Sequence, residues 1–223
     1  MKQLRQGVDL WPLIAHPRNP AEQRINATLT RLNQRLAQAV KDCDKQVGDT
    51  TGDNTTSDDW SRTVEMTMTG PHFLSLVASD EVFCGGAHPD SRRTALVFDM
   101  NTGAPVDWTK LVAASAGASA YTDTATDGST IGALVLPALQ TRNVAAANAD
   151  CKDVFQDPQS FLLWPDAKSG MLVAEPFDLP HAVAACAQQL KLTMPQARQL
   201  GFSESLLSAI EEAHRQIAVS SQP

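Results

Sequence analysis

At 223 residues the chain is long enough for one large domain or two small ones, and 43% hydrophobic with 19% charged residues is the composition of a folded globular protein. Eighteen basic against 25 acidic residues leave a formal charge of −7, which argues against nucleic acid or an anionic membrane surface as partner and favours a basic protein or a cation. No apolar run approaches the roughly 18 residues of a membrane helix, so no transmembrane segment is expected.

The opening MKQLRQGVDLWPLIAHP has charge but lacks the apolar region, about 7 to 15 residues long, of a secretory signal. Asn19-Pro20-Ala21-Glu22 predicts a helix start, with Asn as cap, Pro at the first helical position and Glu placed to reach back. Ile25, Leu29, Leu32, Leu36 and Val40 recur every three or four residues and share one helical face, and the helix is expected to end before Gly48. The stretch GDTTGDNTTSDD that follows is polar and acidic, but Asp49, Asp53, Asp58 and Asp59 do not have calcium-loop spacing, so a solvated loop is expected.

From Arg62 the period changes to two: Val64, Met66 and Met68 alternate with polar residues, as a half-buried strand requires. Phe73 to Ser79 and Arg93 to Asp99 are two more predicted strands, the second closing in the turn signal Asn101-Thr102-Gly103. Short loops between them favour an antiparallel meander. Ala113 to Thr130 is small and polar, a mobile loop or weak helix that carries the chain's single tyrosine, Tyr121. Ile131, Leu134, Val135, Leu139 and Val144 predict a helix kinked or shortened at Pro137. Phe161 to Trp164 and Met171 to Ala174 flank Lys168-Ser169-Gly170 as a hairpin, Leu190 to Met194 adds a strand, and Ser203 caps a last helix with the stripe Leu206, Leu207, Ile210, Ala213, Ile217.

Catalytic patterns are sparse. There is no G-x-S-x-G elbow, and Ser79 and Ser91 have no special context. Cys84 with His88 would form a nucleophile pair only as a free thiol. His16, His72, His88, His181 and His214 lack metal-ligand spacing; a spatial cluster of His72, His88 and Asp90 is the one zinc arrangement to consider, and neither metal nor cofactor is expected. Carboxylates such as Glu65 and Asp99 read as solvated or hydrogen-bonded.

Between the second and third strands lies Phe83-Cys84-Gly85-Gly86-Ala87-His88-Pro89. Consecutive glycines permit positive φ, and Pro89 drives His88 toward extended angles, so the stretch reads as a sharp, specified turn rather than a reactive site. The surrounding FLSLVASDEVFCGGAHPDSRRTALVFDMNTGAPVDWTKLV, residues 73–112, resembles the central motif of the RsiV-like domain of unknown function, in which G-G-A-H precedes a strand closing in F-D-x-x-T-G. Trp11-Pro12, Ile25-Asn26 and FLLWPDAKSGMLVAEPFDLPHAVAAC resemble that family's flanking signals. Departures are Trp108-Thr109-Lys110-Leu111-Val112 in place of an acidic, phenylalanine-ended stretch, and Cys84 where an aromatic or small residue is common.

The resemblance implies an exported α+β module, found in a lysozyme-sensing anti-sigma factor and beside the catalytic domain of a peptidoglycan deacetylase, with no catalytic residues of its own. The expectation is therefore one α+β unit over 1–223, an antiparallel sheet packed with a long N-terminal and a C-terminal helix. A helix and meander would occupy about 19–112, and a helix, hairpin and last helix about 128–217. Its place would be periplasmic or outer-membrane lipoprotein-anchored, and it would act by binding. Tyr121, His88 and Asp90 are the candidate binding residues, Gly85, Gly86, His88 and Pro89 the structural motif, and a basic protein such as lysozyme the candidate partner. The alternatives are an envelope hydrolase using His88 with Asp90 or Asp99, favoured by a deep pocket enclosing them, and an assembly protein, favoured by a large symmetric interface. Cys43, Cys84, Cys151 and Cys186 are widely spaced with no C-x-x-C pair. Two disulfides are expected, Cys43–Cys84 joining the first helix to a neighbouring strand and Cys151–Cys186 within the C-terminal half.

Overall fold

The computed structural model describes residues 2–51, 60–85, 88–125 and 127–220. One five-stranded sheet has the order β1 (Gln3–Arg5), β2 (Val8–Asp9), β3 (Trp60–Thr69), β4 (Phe73–Val82), β5 (Asp90–Asp99). It is antiparallel except where β2 runs parallel to β3. The second sheet is antiparallel, in the order β10 (Leu190–Leu192), β9 (Met171–Phe177), β8 (Ser160–Asp166), β7 (Thr130–Val135), β6 (Ser119–Thr124). Four α-helices complete the described residues: α1 (Pro20–Thr51), α2 (Pro137–Ala146), α3 (Met194–Gln199) and α4 (Glu204–Ser220). The chain is α+β, as expected.

Helix α1 begins as its sequence dictates. Asn19 Oδ1 accepts from the Glu22 amide at 2.9 Å, and Glu22 Oε2 reaches back to the amide of Arg18 at 2.6 Å. It runs past the expected stop at Gly48 to Thr51 because the apolar stripe continues through Cys43 and Val47, both buried. One glycine costs a helix only about 1 kcal/mol. Two asparagines seven residues apart on α1 strap the incoming chain alongside it: Asn26 exchanges hydrogen bonds with Ile14 and Asn33 with Trp11, at 2.8 to 3.0 Å.

Alternation along β4 divides the core. Leu74, Leu76 and Ala78 face α1 and pack with Ile25, Leu29 and Leu32; Phe73 and Val77 face the second sheet and join Phe161, Leu163, Trp164, Val173 and Ile131. Leu206, Leu207, Ile210 and Ala213 of α4 bury their stripe in that same cluster. The hairpin of β8 and β9 is where the sequence places it, with Gly170 at φ +67.

Three expectations change. Ala113 to Thr130 is not a loose segment: it holds one short 3-10 turn, Ala114–Ala116, and the edge strand β6, in full register with β7. Ile131 to Val135 is strand, not helix, because the residue before a proline is driven extended; Leu136 sits at φ −139, ψ 109, and Pro137 then starts α2 instead of kinking it. The N-terminal segment adds β1 and β2, too short to carry a readable alternation. Both disulfides join the expected partners, Cys43 with Cys84 and Cys151 with Cys186.

Candidate functional site

The Phe83 to Pro89 turn lies at the end of β4 that Cys84 ties to α1. Gly85 has φ +80, the left-handed conformation expected of it, and Gln46 Nε2 donates to its carbonyl at 3.4 Å; Gly86 lies outside the described residues. His88 is exposed, its Nδ1 3.1 Å from the Pro89 carbonyl oxygen, so it is not packed beneath the turn. His72 and Asp90 are separated by the length of β4, roughly 30 Å at strand rise, so the three-residue cluster with His88 does not assemble. Among the described residues no group of His, Cys, Asp and Glu is arranged to hold a metal ion.

Beyond the turn, β4 and β5 form one wall of a cleft between the two sheets. The apolar residues on the inner face of the first sheet stop at Val77 and Ala95. Register then puts Thr63 beside Ser79, Ser79 beside Arg93, and Glu81 beside Ser91 on that same face. With no large apolar side chain to close on, the sheets part there and admit water. Arg93 crosses the gap. Its guanidinium pairs with Glu175 of β9, lies 5.9 Å from the Trp164 ring centroid and is 3.3 Å from Ser79 Oγ. Ser79 and Arg93 line a cavity on either side of this bridge, one of about 410 Å³ reaching Asp90, Ser91 and Asp178, the other of about 490 Å³ reaching Glu65, Lys168 and Lys191. Burial pushes the Glu175 carboxyl up from the ordinary glutamate value, and Arg93 opposes that shift.

At the mouth, three strands converge. Tyr121 of β6 donates its hydroxyl to Asp178 at 2.9 Å and sits edge-on to Phe177, centroids 6.1 Å apart. Asp123 of β6 pairs with Arg92 of β5, whose guanidinium lies 5.5 Å from the Phe177 centroid. The hydrogen bond to the Asp178 carboxylate raises the Tyr121 hydroxyl above the usual phenol range. Asp178 has φ +64, uncommon for a residue with a Cβ. Of the expected binding residues, Asp90 therefore lines the cleft and Tyr121 fixes one wall of it. Tyr121 is held rather than free as an anchor, and His88 stands outside on the turn.

The sequence reading missed Arg92, Arg93, Glu175 and Asp178. Glu175 left a signal, a lone carboxylate inside the apolar run MLVAEPF, and so did the Arg92-Arg93 doublet, since adjacent strand residues point to opposite faces and each needs its own partner.

On the opposite face of the first sheet is a second charge cluster, fully buried. Arg62 bonds Asp80 at 2.7 and 3.0 Å and Asp127 at 2.9 Å, beneath the Trp11 ring at 4.7 Å. Trp60 donates to Asp80 and Trp11 to Asp127. Burial raises the Asp80 carboxyl, with Arg62 the principal opposing influence. Both carboxylates and the two terminal nitrogens of the guanidinium are paired, only Arg62 Nε is buried without a partner, and the side chains are 0 to 5% exposed, so the cluster is structural.

No protein-family model matches the chain, and no curated protein matches it. Among solved structures, the crystal structure of a member of the DUF3298 family from Bacteroides fragilis is similar at 10% identity, with a TM-score of 0.45, over 87% of this chain and 74% of that one. Similarity at this level transfers neither a residue role nor an activity.

Proposed function

We propose that the chain is a recognition module of the bacterial cell envelope that takes a polar ligand in the cleft between its sheets, acting by binding rather than by chemistry. The observation that carries this reading is the cleft itself, open to water and bridged by Arg93 and Glu175. Its arginines each have a carboxylate partner, Asp123 for Arg92 and Glu175 for Arg93, and such charge-assisted donors and acceptors give a polar ligand groups to compete for. Two disulfides support an oxidising compartment, periplasmic or lipoprotein-anchored. The formal charge of −7 supports a basic envelope enzyme of the lysozyme type as the first partner to test, since complementary charge speeds encounter and weakens with salt.

Titration calorimetry against a panel of lysozymes and against soluble peptidoglycan fragments, at low and physiological salt, tests the reading. Ser91→Trp, on an exposed lining position, fills the cleft without touching the core. Heat with either ligand class that disappears in this variant supports cleft binding. No heat from the folded protein with either class overturns it, and turnover of the fragments would replace it with the hydrolase reading.

A further inference from the structure

A second cavity, of about 830 Å³, lies away from the inter-sheet cleft, between α4 and the turn that follows β5. Its floor is apolar: Phe73, Val106, Leu111 and Ala209 line it. The helix wall is low because Ser205, Ser208 and Ala209 recur there with small side chains. The rim carries four carboxylates, Asp99, Asp107, Glu204 and Glu212, against Lys110 as the one ammonium or guanidinium in the lining.

Two of the four are already neutralised, Asp107 by Lys110 at 3.3 Å and Glu204 by Arg198 at 2.8 Å. The other two are in no ion pair among the described residues, and His72 is the one further basic side chain in the lining. Asp99 Oδ1 accepts from the amides of Asn101 and Thr102 at 2.7 and 3.0 Å, and Glu212 Oε1 accepts from Gln216 at 3.2 Å. They stand on different walls, Asp99 at the end of β5 and Glu212 on α4. The strand wall is preformed: Gly103, at φ +71, fits against the first turn of α1 so closely that a Cβ would come within 2.4 Å of the Ala21 carbonyl oxygen.

An apolar floor beneath two uncompensated carboxylates is complementary to a cationic head on an apolar stem, the chemistry of an arginine or lysine side chain. We propose that this cavity docks a basic peptide segment of a partner, one cationic side chain reaching between Asp99 and Glu212 while its stem and an adjacent apolar residue cover Phe73, Val106 and Ala209. The cavity is within the range of roughly 300 to 1,000 Å³ that ligand sites occupy. This site is separate from the inter-sheet cleft, and neither depends on the other.

The probe is a fluorescein-labelled hexapeptide of alternating arginine and leucine, read by anisotropy. Its control replaces each arginine by citrulline, which keeps the shape and removes the charge. Saturable binding is expected, weakening between about 50 and about 300 mM salt as screening shortens, with the citrulline peptide bound at least about tenfold more weakly. Glu212→Gln should weaken binding about three- to fivefold, the size of one partly exposed ion pair. Ser208→Trp, on the exposed face of α4, should block the cavity, and Ser205→Arg, which sets a cation of the chain's own on that wall, is the second blocking variant; a thermal melt matching the parent shows each is folded. Because neither residue lines the inter-sheet cleft, both should leave any binding there unchanged. The proposal is overturned by an absence of saturable binding, by equal binding of the citrulline peptide, or by unchanged affinity in a folded blocking variant. It is also overturned if Glu81→Gln, in the other cleft, weakens binding as much as Glu212→Gln, since the peptide would then be sensing net charge alone.

Discussion

The first sheet carries an arginine–carboxylate ion pair on each of its faces, and the two are built from the same groups for different ends. On the α1 face Arg62 is 1% exposed and held by two carboxylates that are themselves held by two indoles. On the cleft face Arg93 is 31% exposed and has one carboxylate, Glu175, at 10%. Burial decides what each pair does. In a dry site an ion pair must be complete, because its attraction only just offsets the loss of hydration, and removing one member leaves a stranded charge. At the cleft the arginine keeps access to water and the carboxyl, raised by burial, can take up a proton, so separating the pair strands less charge.

Arg62→Met and Arg93→Met sharpen that contrast most. Arg62→Met strands both Asp80 and Asp127 and should destabilise by about 3 to 5 kcal/mol, whereas Arg93→Met should cost about 1 kcal/mol, the value of a pair with access to water. Urea denaturation read as a shift in midpoint at constant slope checks both. Equal costs would remove the distinction between a structural and an adaptable pair.

The disulfides sort by region in the same way. Cys43–Cys84 ties α1 to the end of β4, and Cys151–Cys186 anchors the 3-10 segment His181–Cys186, whose Ala184 lines the cleft together with the adjoining Ala187. Their sequence separations of 41 and 35 residues are close enough that removing either pair as Cys→Ser should cost a similar amount, about 3 to 4 kcal/mol in the chain-entropy estimate. Function should not be symmetric: only loss of Cys151–Cys186 should weaken binding in the cleft. Calorimetry on both double variants, at a temperature where each is folded, makes the comparison.

The turn between β4 and β5 gives a smaller effect. Gly85→Val, forced into a left-handed conformation a β-branched side chain resists, should destabilise by more than about 1 kcal/mol. His88→Ala, two residues past the glycine pair and exposed, should stay within about 0.5 kcal/mol. Thermal melts of the two side by side show whether the glycine or the histidine holds the turn.

Legibility in the sequence followed the range of the interactions. Helix α1, the strands β4 and β5 and the β8–β9 hairpin are visible because their signals are local and long; β3 is found too, but a bulge between Met66 and Met68 breaks its period of two, leaving Met66 exposed and placing Met68 in the inter-sheet cluster while Val64 packs with α1. Strand β6 was hidden because an edge strand with one covered side shows little alternation: only Tyr121, Asp123 and their neighbours across β7 reveal it. Strand β7 was misread because a short apolar run has no period of its own, and Pro137, taken as a kink, was a boundary. The cleft was half legible. Asp90 and Tyr121 reach it, but nothing in the chain order brings Arg93 of β5 to Glu175 of β9, 82 residues apart, and the charge clusters that separate the two faces of the first sheet exist only once both sheets have folded.

The smallest effect tests the cleft pair without breaking it. The native environment raises the Glu175 carboxyl, through burial that Arg93 only partly offsets. A carboxyl whose folded value is raised binds its proton more tightly in the native than in the unfolded chain. Its contribution to stability is therefore greatest below the unfolded value, about 4.3 for glutamate, and declines as pH rises through the raised folded value. Glu175→Gln removes that titration and, with it, the ion pair to Arg93, so the pH dependence of the difference, not its size at one pH, reports the titration. The stability of the parent minus that of the variant should accordingly fall as pH rises from about 4 through the raised value and level off above it. Melting temperatures of both proteins across that range, in one ionic strength, read the difference directly. A difference that grows with pH instead would mean that Arg93 outweighs burial, that Glu175 is charged throughout, and that the cleft is bridged by a fixed ion pair rather than one poised to open.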